Sequence, residues 1–339
     1  ILNLLTNAVK YNKPGGSVTV RLGVDPVNAD FLRVAVSDTG RGIPEKHLKQ
    51  VFEKFFRVAD AEGYAQGAGL GLRHELIDQL RTEPPEQVSF LEVAPENWIR
   101  VGGARGKALR KLTERYPLVC HGLSLSIGAP SALNEQLVRD VKDFMAEHDI
   151  RLYSEHLSYT SDDGQLYDLM PIPFTEDAVK YVAGRIKRVQ DILEQRIAME
   201  NVSYYAPTDT SMSEADFLLA VLEEADCDLM LDINNIVVNS INHGYDALDF
   251  LHRMPAERIR YFHLAGHYVE SEDLRIDTHG TPVDEQAWQL LADAYAHFGV
   301  VPTLLERDFN FPPIEDLLTE VGKIRQLQAE AETKEVANG

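Results

Sequence analysis

From residue 88 onward, short apolar runs alternate with longer segments whose apolar residues recur at helical spacing. The runs predict strands at Val88–Val93, Leu118–Leu123, Leu152–His156, Ile197–Asn201, Leu229–Ile233, Ile259–Leu264, Leu274–Asp277 and Pro302–Leu305. The segments between them predict helices, among them Leu133–His148, Asp177–Gln195, Ser213–Glu224, Ala247–Arg253, Asp284–Phe298 and Ile314–Ala329. Strand–helix alternation at this spacing builds parallel βαβ units. Eight of them close into a TIM-type (β/α)8 barrel. Residues 67–329 are read as that barrel and 330–339 as a disordered tail.

The first 72 residues follow another pattern. Asn3, Asn7 and Lys10 share one face of a helix-patterned stretch, and Pro14-Gly15-Gly16 turns the chain into two strand-like runs, Ser17–Leu22 and Phe31–Val36. Asp38-Thr-Gly40-Arg-Gly42 follows, then Phe52, Phe55 and Phe56, then Gly67-Ala-Gly69-Leu-Gly71. In this order the motifs resemble the asparagine box, first glycine box, phenylalanine box and second glycine box of the sensor histidine kinase ATP-binding domain. The resemblance implies a nucleotide site at Asn3, Asn7, Lys10, Asp38, Gly40, Gly42, Gly67, Gly69 and Gly71, with ATP and magnesium as cofactors if it functions. Such a domain needs more chain on both sides than is present here. The expectation for 1–66 is a partial α+β fragment, too small to bury a nucleotide-binding core. The chain opens on Ile1 rather than Met, which reads as a fragment at the N-terminus.

Charge and cysteine usage narrow the classes. A formal charge of -21 argues against nucleic acid and anionic membrane as partners, because neutralising phosphates needs surplus Lys and Arg. No apolar run reaches the roughly 18 residues of a membrane span. Two cysteines, Cys120 and Cys227, sit far apart in apolar surroundings, the pattern of buried reduced thiols, so a cytoplasmic protein is expected.

The chemistry lies where the strands end. His121, Glu155-His156, Glu200-Asn201, Asp232 with Asn235, His263, Asp277-Thr-His279 and Glu306 each close or follow a predicted strand. In a barrel those ends converge on one mouth. So many ionisable groups around one cavity repel one another unless cations hold them. Imidazole with carboxylate and amide oxygen suits iron, manganese or zinc, and the surplus of ligands implies two or three ions with a bridging carboxylate. Glu92, Glu96 and Asn97 read equally as a loop hydrogen-bond cluster or as substrate neighbours. Asp308 reads equally as an orienting partner for a ligand histidine or as a surface acid.

From about Gly67 to Gly322 the strand-end motifs resemble the multinuclear non-haem iron-dependent oxidative enzymes, the barrel family that includes the methanobactin biosynthetic oxygenase. Glu92-Val-Ala-Pro-Glu96-Asn97, Ser154-Glu155-His156, Leu231-Asp232-Ile-Asn234-Asn235, His263-Leu-Ala-Gly-His267 and Asp277-Thr-His279-Gly carry the likeness. It implies two or three irons, O2 as co-substrate and a ribosomally made peptide modified at cysteine. It also implies a small partner protein that presents the precursor. The ligands it carries over are His121, His156, Glu200, Asp232, His263, Asp277, His279 and Glu306, with Glu155, Asn201 and Asn235 as further ligands or their supports. Sugar isomerases of the xylose isomerase type and zinc endonucleases gather similar groups at a barrel mouth and are the rival enzyme reading. A nucleotide-binding signalling module through residues 1–72 is the rival of another class.

Overall fold

The computed structural model describes residues 12–13, 15–24, 32–40, 42, 67–82, 85–161, 165–206 and 209–338. The chain divides into two compact units, Ile1–Asp60 and Ala61–Gly339. In the first, β1 (Val18–Val24) and β2 (Leu32–Asp38) pair as an antiparallel hairpin in the register Val18↔Asp38. Asp38 Oδ1 accepts from the Gly40 amide at 2.8 Å. Of the nucleotide-type residues, Asn3, Asn7 and Lys10 lie outside the described residues.

The second unit runs β3 (Ala68–Gly71), α1 (Ile77–Thr82), β4 (Phe90–Val93), α2 (Gly103–Thr113), β5 (Leu118–Gly122), α3 (Glu135–Glu147), β6 (Tyr153–His156), β7 (Tyr159–Ser161) and β8 (Gln165–Met170). It continues through α4 (Glu176–Leu193), β9 (Ala198–Glu200), α5 (Glu214–Ala225), β10 (Asp228–Asp232), α6 (Ile233–His243), α7 (Ala247–His252) and β11 (Ile259–Leu264). Then come β12 (His267–Ser271), β13 (Leu274–Asp277), α8 (Glu285–Phe298), β14 (Thr303–Leu305) and α9 (Ile314–Asn338). Strands β3, β4, β5, β6, β9, β10, β11 and β14 form a closed parallel barrel, with β14 pairing back onto β3. The expected (β/α)8 architecture is present.

One strand differs from the expectation. Leu274–Asp277 is not a barrel strand but pairs antiparallel with His267–Ser271 in a hairpin, β12–β13. Only residues 265–273 separate it from β11, and a parallel crossover needs about a dozen or more. β11 pairs directly with β14, and Ala68–Gly71 supplies the eighth strand between β14 and β4, so Gly69 and Gly71 belong to the barrel wall, with Gly67 just before it, and not to a nucleotide-binding turn. Gly69 faces the barrel interior, where a Cβ would lie 2.4–2.6 Å from the Phe90 ring. The glycine makes room for that ring. The last helix also departs from the pattern, running on to Asn338 through the expected tail.

The barrel packs in two shells. Outward-facing Ala68, Leu70, Leu91, Val93, Cys120, Tyr153, Met199, Leu229, Leu231, Phe262 and Leu305 join the helices in the larger core. Inside, Phe90, Val119, Leu152, Ala198, Met230, Tyr261 and Leu304 form a separate buried layer. Side chains alternate along a strand, so residues two further on point into the same interior. Two positions beyond that layer stand Glu92, His121, Glu200, Asp232, His263 and Glu306, while His156 stands two beyond Ser154. The site is the next pleat repeat above an apolar plug.

Candidate metal centre

Four groupings of ligand atoms share residues. His121, His156 and Glu200 form the first, Glu200, Asp232 and His263 the second, and Asp232, His279 and Glu306 the third, while Glu92 makes a fourth with His263 and Glu306. Glu200 joins the first pair and Asp232 the second. His121 Nε2 lies 3.1 Å from His156 Nε2 and 3.2 Å from Glu200 Oε2, and His156 Nε2 is 3.3 Å from the same oxygen. His156 Nδ1 donates to the Gly122 carbonyl at 2.9 Å, so in the neutral ring Nε2 carries the lone pair. Nitrogens and oxygens each about 2.1 Å from one ion make edges of this length.

The same test holds deeper in. His263 Nε2 donates to Glu92 Oε2 at 2.9 Å, which leaves Nδ1 facing Glu306 Oε2 at 3.2 Å and Asp232 Oδ2 at 3.9 Å. His263 Nδ1, Glu200 Oε2, Asp232 Oδ2 and Asn235 Oδ1 are buried without a hydrogen-bond partner. Buried polar atoms are seldom left so, and a cluster of lone pairs aimed at one another fits bound cations. Asp232 is anchored by its own local structure. Its Oδ1 caps α6 by accepting from the Asn235 amide at 2.7 Å, and the helix N-terminus favours its charge.

Electrostatics carry the strain of so much charge. Burial opposes the charge on His156, but Glu200 and Glu155 outweigh it and raise the imidazole to about 9. Glu200 resists burial through His156, His121 and His263 and is held down to about 2. Burial, and then the Glu200 charge, push Asp232 up to about 7. His263 and His279 also stand well above the usual imidazole range: burial works against them, but Glu92 and Glu306 raise the first and Asp277 and Glu306 the second. Metal-free, the layer balances its carboxylates with protons on imidazoles, which a cation would displace.

Not every predicted residue joins the cluster. Glu155 stands on the opposite face of β6 from Ser154 and His156, and its Oε2 accepts from the Tyr153 hydroxyl at 2.6 Å. Asn201 is spent on the backbone of Asp232, donating to its carbonyl at 3.0 Å and accepting from its amide at 2.8 Å. Neither is placed as a ligand. Asn235 Nδ2 donates to Glu200 Oε1 at 3.2 Å and so steadies the shared carboxylate. Asp277 accepts from Ser203 and Asn234 and lies 2.7 Å from His279 Nε2, at the edge of the third grouping. Asp308 lies 3.3 Å from His279 Nδ1 and is gripped by Arg73, which also donates to Glu306 Oε1 at 2.7 Å. His267 is buried and lies 2.8 Å from Asn234 Oδ1 through its Nδ1. Sequence reasoning missed Arg73, Ser154 and Tyr261. The last two were within reach, since each sits two positions before a ligand on the same strand.

Residues 67–329 match the family described as RiPP precursor modification enzyme MbnB/TglH/ChrH. The chain belongs to that family. Among its relatives, the UPF0276 protein of Shewanella amazonensis is 56% identical over 264 residues, covering 78% of this chain and 95% of the relative. That of Nitrosospira multiformis is 58% identical over 263 residues, 77% of this chain and 93% of the relative. Solved structures show the fold alone. The 3-keto-D-glucoside 4-epimerase of E. coli superposes with a TM-score of 0.51 at 12% identity, covering 77% of this chain and 99% of that one. The D-psicose 3-epimerase of Clostridium cellulolyticum H10 gives 0.50 at 10% identity, over 79% and 97%. Residues 1–82 also match the histidine kinase-, DNA gyrase B- and HSP90-like ATPase family. Within that stretch, 67–82 contain β3 and α1 of the MbnB/TglH/ChrH-type barrel. The chain is thus an enzyme with a metal-type ligand layer at the mouth of a TIM barrel.

Proposed function

We propose that this enzyme is a multinuclear non-haem iron-dependent oxidase that uses O2 to modify cysteine in a ribosomally made precursor peptide. The observation that carries the reading is the chain of shared carboxylates, Glu200 and then Asp232, linking three histidine-containing groupings. One isolated ion would use four to six ligands, and this layer offers more. Iron bound here would supply one-electron chemistry toward O2 and Lewis acidity toward a cysteine thiol. The chain's own part is to hold the ions. His121, His156 and Glu200 would hold one, Glu200, Asp232 and His263 a second, and Asp232, His279 and Glu306 a third. Arg73 fixes Glu306 beside the third by donating to its Oε1 at 2.7 Å, and the apolar layer lies beneath.

A peptide substrate, delivered by a small presenting protein, is supported by the rim. Leu123, Met170, Tyr268, Val269 and Phe309 are 37–52% exposed, and all stand in loops or hairpins that follow barrel strands at the ligand end. Apolar side chains around a polar centre suit a peptide better than a sugar. Protein purified without oxygen should hold two or three irons per chain by elemental analysis. It should show exchange-coupled Mössbauer spectra and take up O2 with a cysteine-containing precursor. Zinc or manganese alone, with no O2 uptake after iron reconstitution, would instead favour an isomerase or hydrolase on this barrel.

A further inference from the structure

At the level of the ligand layer, one buried carboxylate is wired to two histidines from different groupings, in one case through hydroxyls that lie beneath it. Glu92 Oε2 accepts from His263 Nε2 at 2.9 Å and from the Tyr261 hydroxyl at 2.6 Å. The Tyr261 oxygen lies 2.7 Å from Ser154 Oγ, which lies 2.7 Å from His121 Nδ1. All five residues are at most 4% exposed.

The inventory of hydrogens sets the direction. A carboxylate only accepts, so Tyr261 spends its single hydrogen on Glu92. The 2.7 Å contact with Ser154 then requires Ser154 to donate to Tyr261. The same hydroxyl stands 3.3 Å from the Cys120 carbonyl, which can only share its hydrogen, so in either case Ser154 accepts from His121, which fixes the His121 proton on Nδ1. The lone pair of His121 is thereby left on Nε2, the nitrogen that faces His156 and Glu200. On the other arm, the Glu92 bond fixes the His263 proton on Nε2 and leaves Nδ1 facing Glu306 and Asp232.

We propose that Glu92, Tyr261 and Ser154 are positioning residues: a one-way hydrogen-bond relay through which one carboxylate sets the metal-facing nitrogen of both His121 and His263. This rests on the reading that the ligand layer binds metal. Such supporting partners orient a ligand and raise its basicity. Here a single acceptor does so for two ligands in different groupings, the nearer one directly and the farther one through two hydroxyls. The relay belongs to the protein's own hydrogen bonding and is independent of which divalent ion binds.

The test uses zinc as a diamagnetic probe on the full chain labelled with 15N-histidine, reading the ring nitrogens by long-range correlation NMR together with zinc affinity. Unaltered protein should show His121 protonated at Nδ1 and His263 at Nε2. Tyr261→Phe and Ser154→Ala should move the His121 resonances far more than those of His263, and weaken zinc at the His121 grouping roughly 10- to 100-fold. Glu92→Gln should move both histidines. Phe90→Leu, a change in the same apolar layer outside the relay, should lower thermal stability and leave both rings in place. If Tyr261→Phe leaves His121 unmoved while zinc still binds, or if Glu92→Gln moves His263 alone, the relay is wrong and the metal reading stands. If the unaltered protein takes up no zinc at this layer, the metal reading falls and the relay with it.

Discussion

Glu200 and Glu155 make the sharpest contrast at the scale of single residues, since both were drawn from strand ends and only Glu200 faces the cluster. Glu200→Gln is expected to lose at least one metal equivalent per chain by elemental analysis. Glu155→Gln keeps an acceptor for Tyr153 and should leave metal content unchanged; a loss there would put Glu155 among the ligands. Protonation gives a second expectation. In chelated protein, His156 (up to about 9) and Asp232 (up to about 7) both hold protons more tightly folded than unfolded. The stability each contributes is complete below its unfolded value, and it is lost as pH rises through about 7 for Asp232 and about 9 for His156. Metal-free protein should therefore melt at lower temperature at pH 9 than at pH 6, as read by calorimetry. Metal should oppose that loss and release protons on binding. The side-chain types at the strand ends were legible in the sequence. Their partition into shared groupings was not, because it depends on which oxygen of Glu200 or Asp232 meets which nitrogen across the barrel.

At the scale of elements, two short stretches depart from what their local pattern dictates. β3 is four residues long with glycine at both inward positions, so it carries no apolar alternation to announce it. Its register is set by contact, the Phe90 ring filling the space that Gly69 leaves. Gly69→Ala should cost about 1–3 kcal/mol through overpacking, measured by denaturant unfolding, with partial recovery when Phe90→Leu is added. Unchanged stability in the single variant would remove Gly69 from that role. Leu274–Asp277 misled in the opposite way, with the apolar pattern of a strand but too little chain before it for a crossover. As the second arm of a hairpin it still delivers Asp277 and leads into His279, so the site survives the change of element.

For the whole molecule, the clustered residues and the relay lie within the unit Ala61–Gly339. A chain beginning at Gly67 is expected to fold and to bind the same number of metal ions as the full protein, by elemental analysis after size exclusion. Aggregation of that chain would place the boundary elsewhere. Saturable ATP binding by the full chain, abolished by Asp38→Asn, would give residues 1–72 a function of their own. Both cysteines are buried and outside any disulfide. No helix among the described residues is long and apolar enough to cross a membrane.

The sequence by itself determined the alternation of strand and helix, the barrel class, the side-chain types at the mouth and the family likeness. These follow from local periodicity and from residues whose chemistry is visible one at a time. Only the tertiary structure decided that Ala68–Gly71 closes the barrel, that Glu155 and Asn201 stand apart from the ligands, and that Glu92 serves two histidines. Each of those turns on which side chains from distant strands share one interior level, a distance that no single stretch of sequence contains.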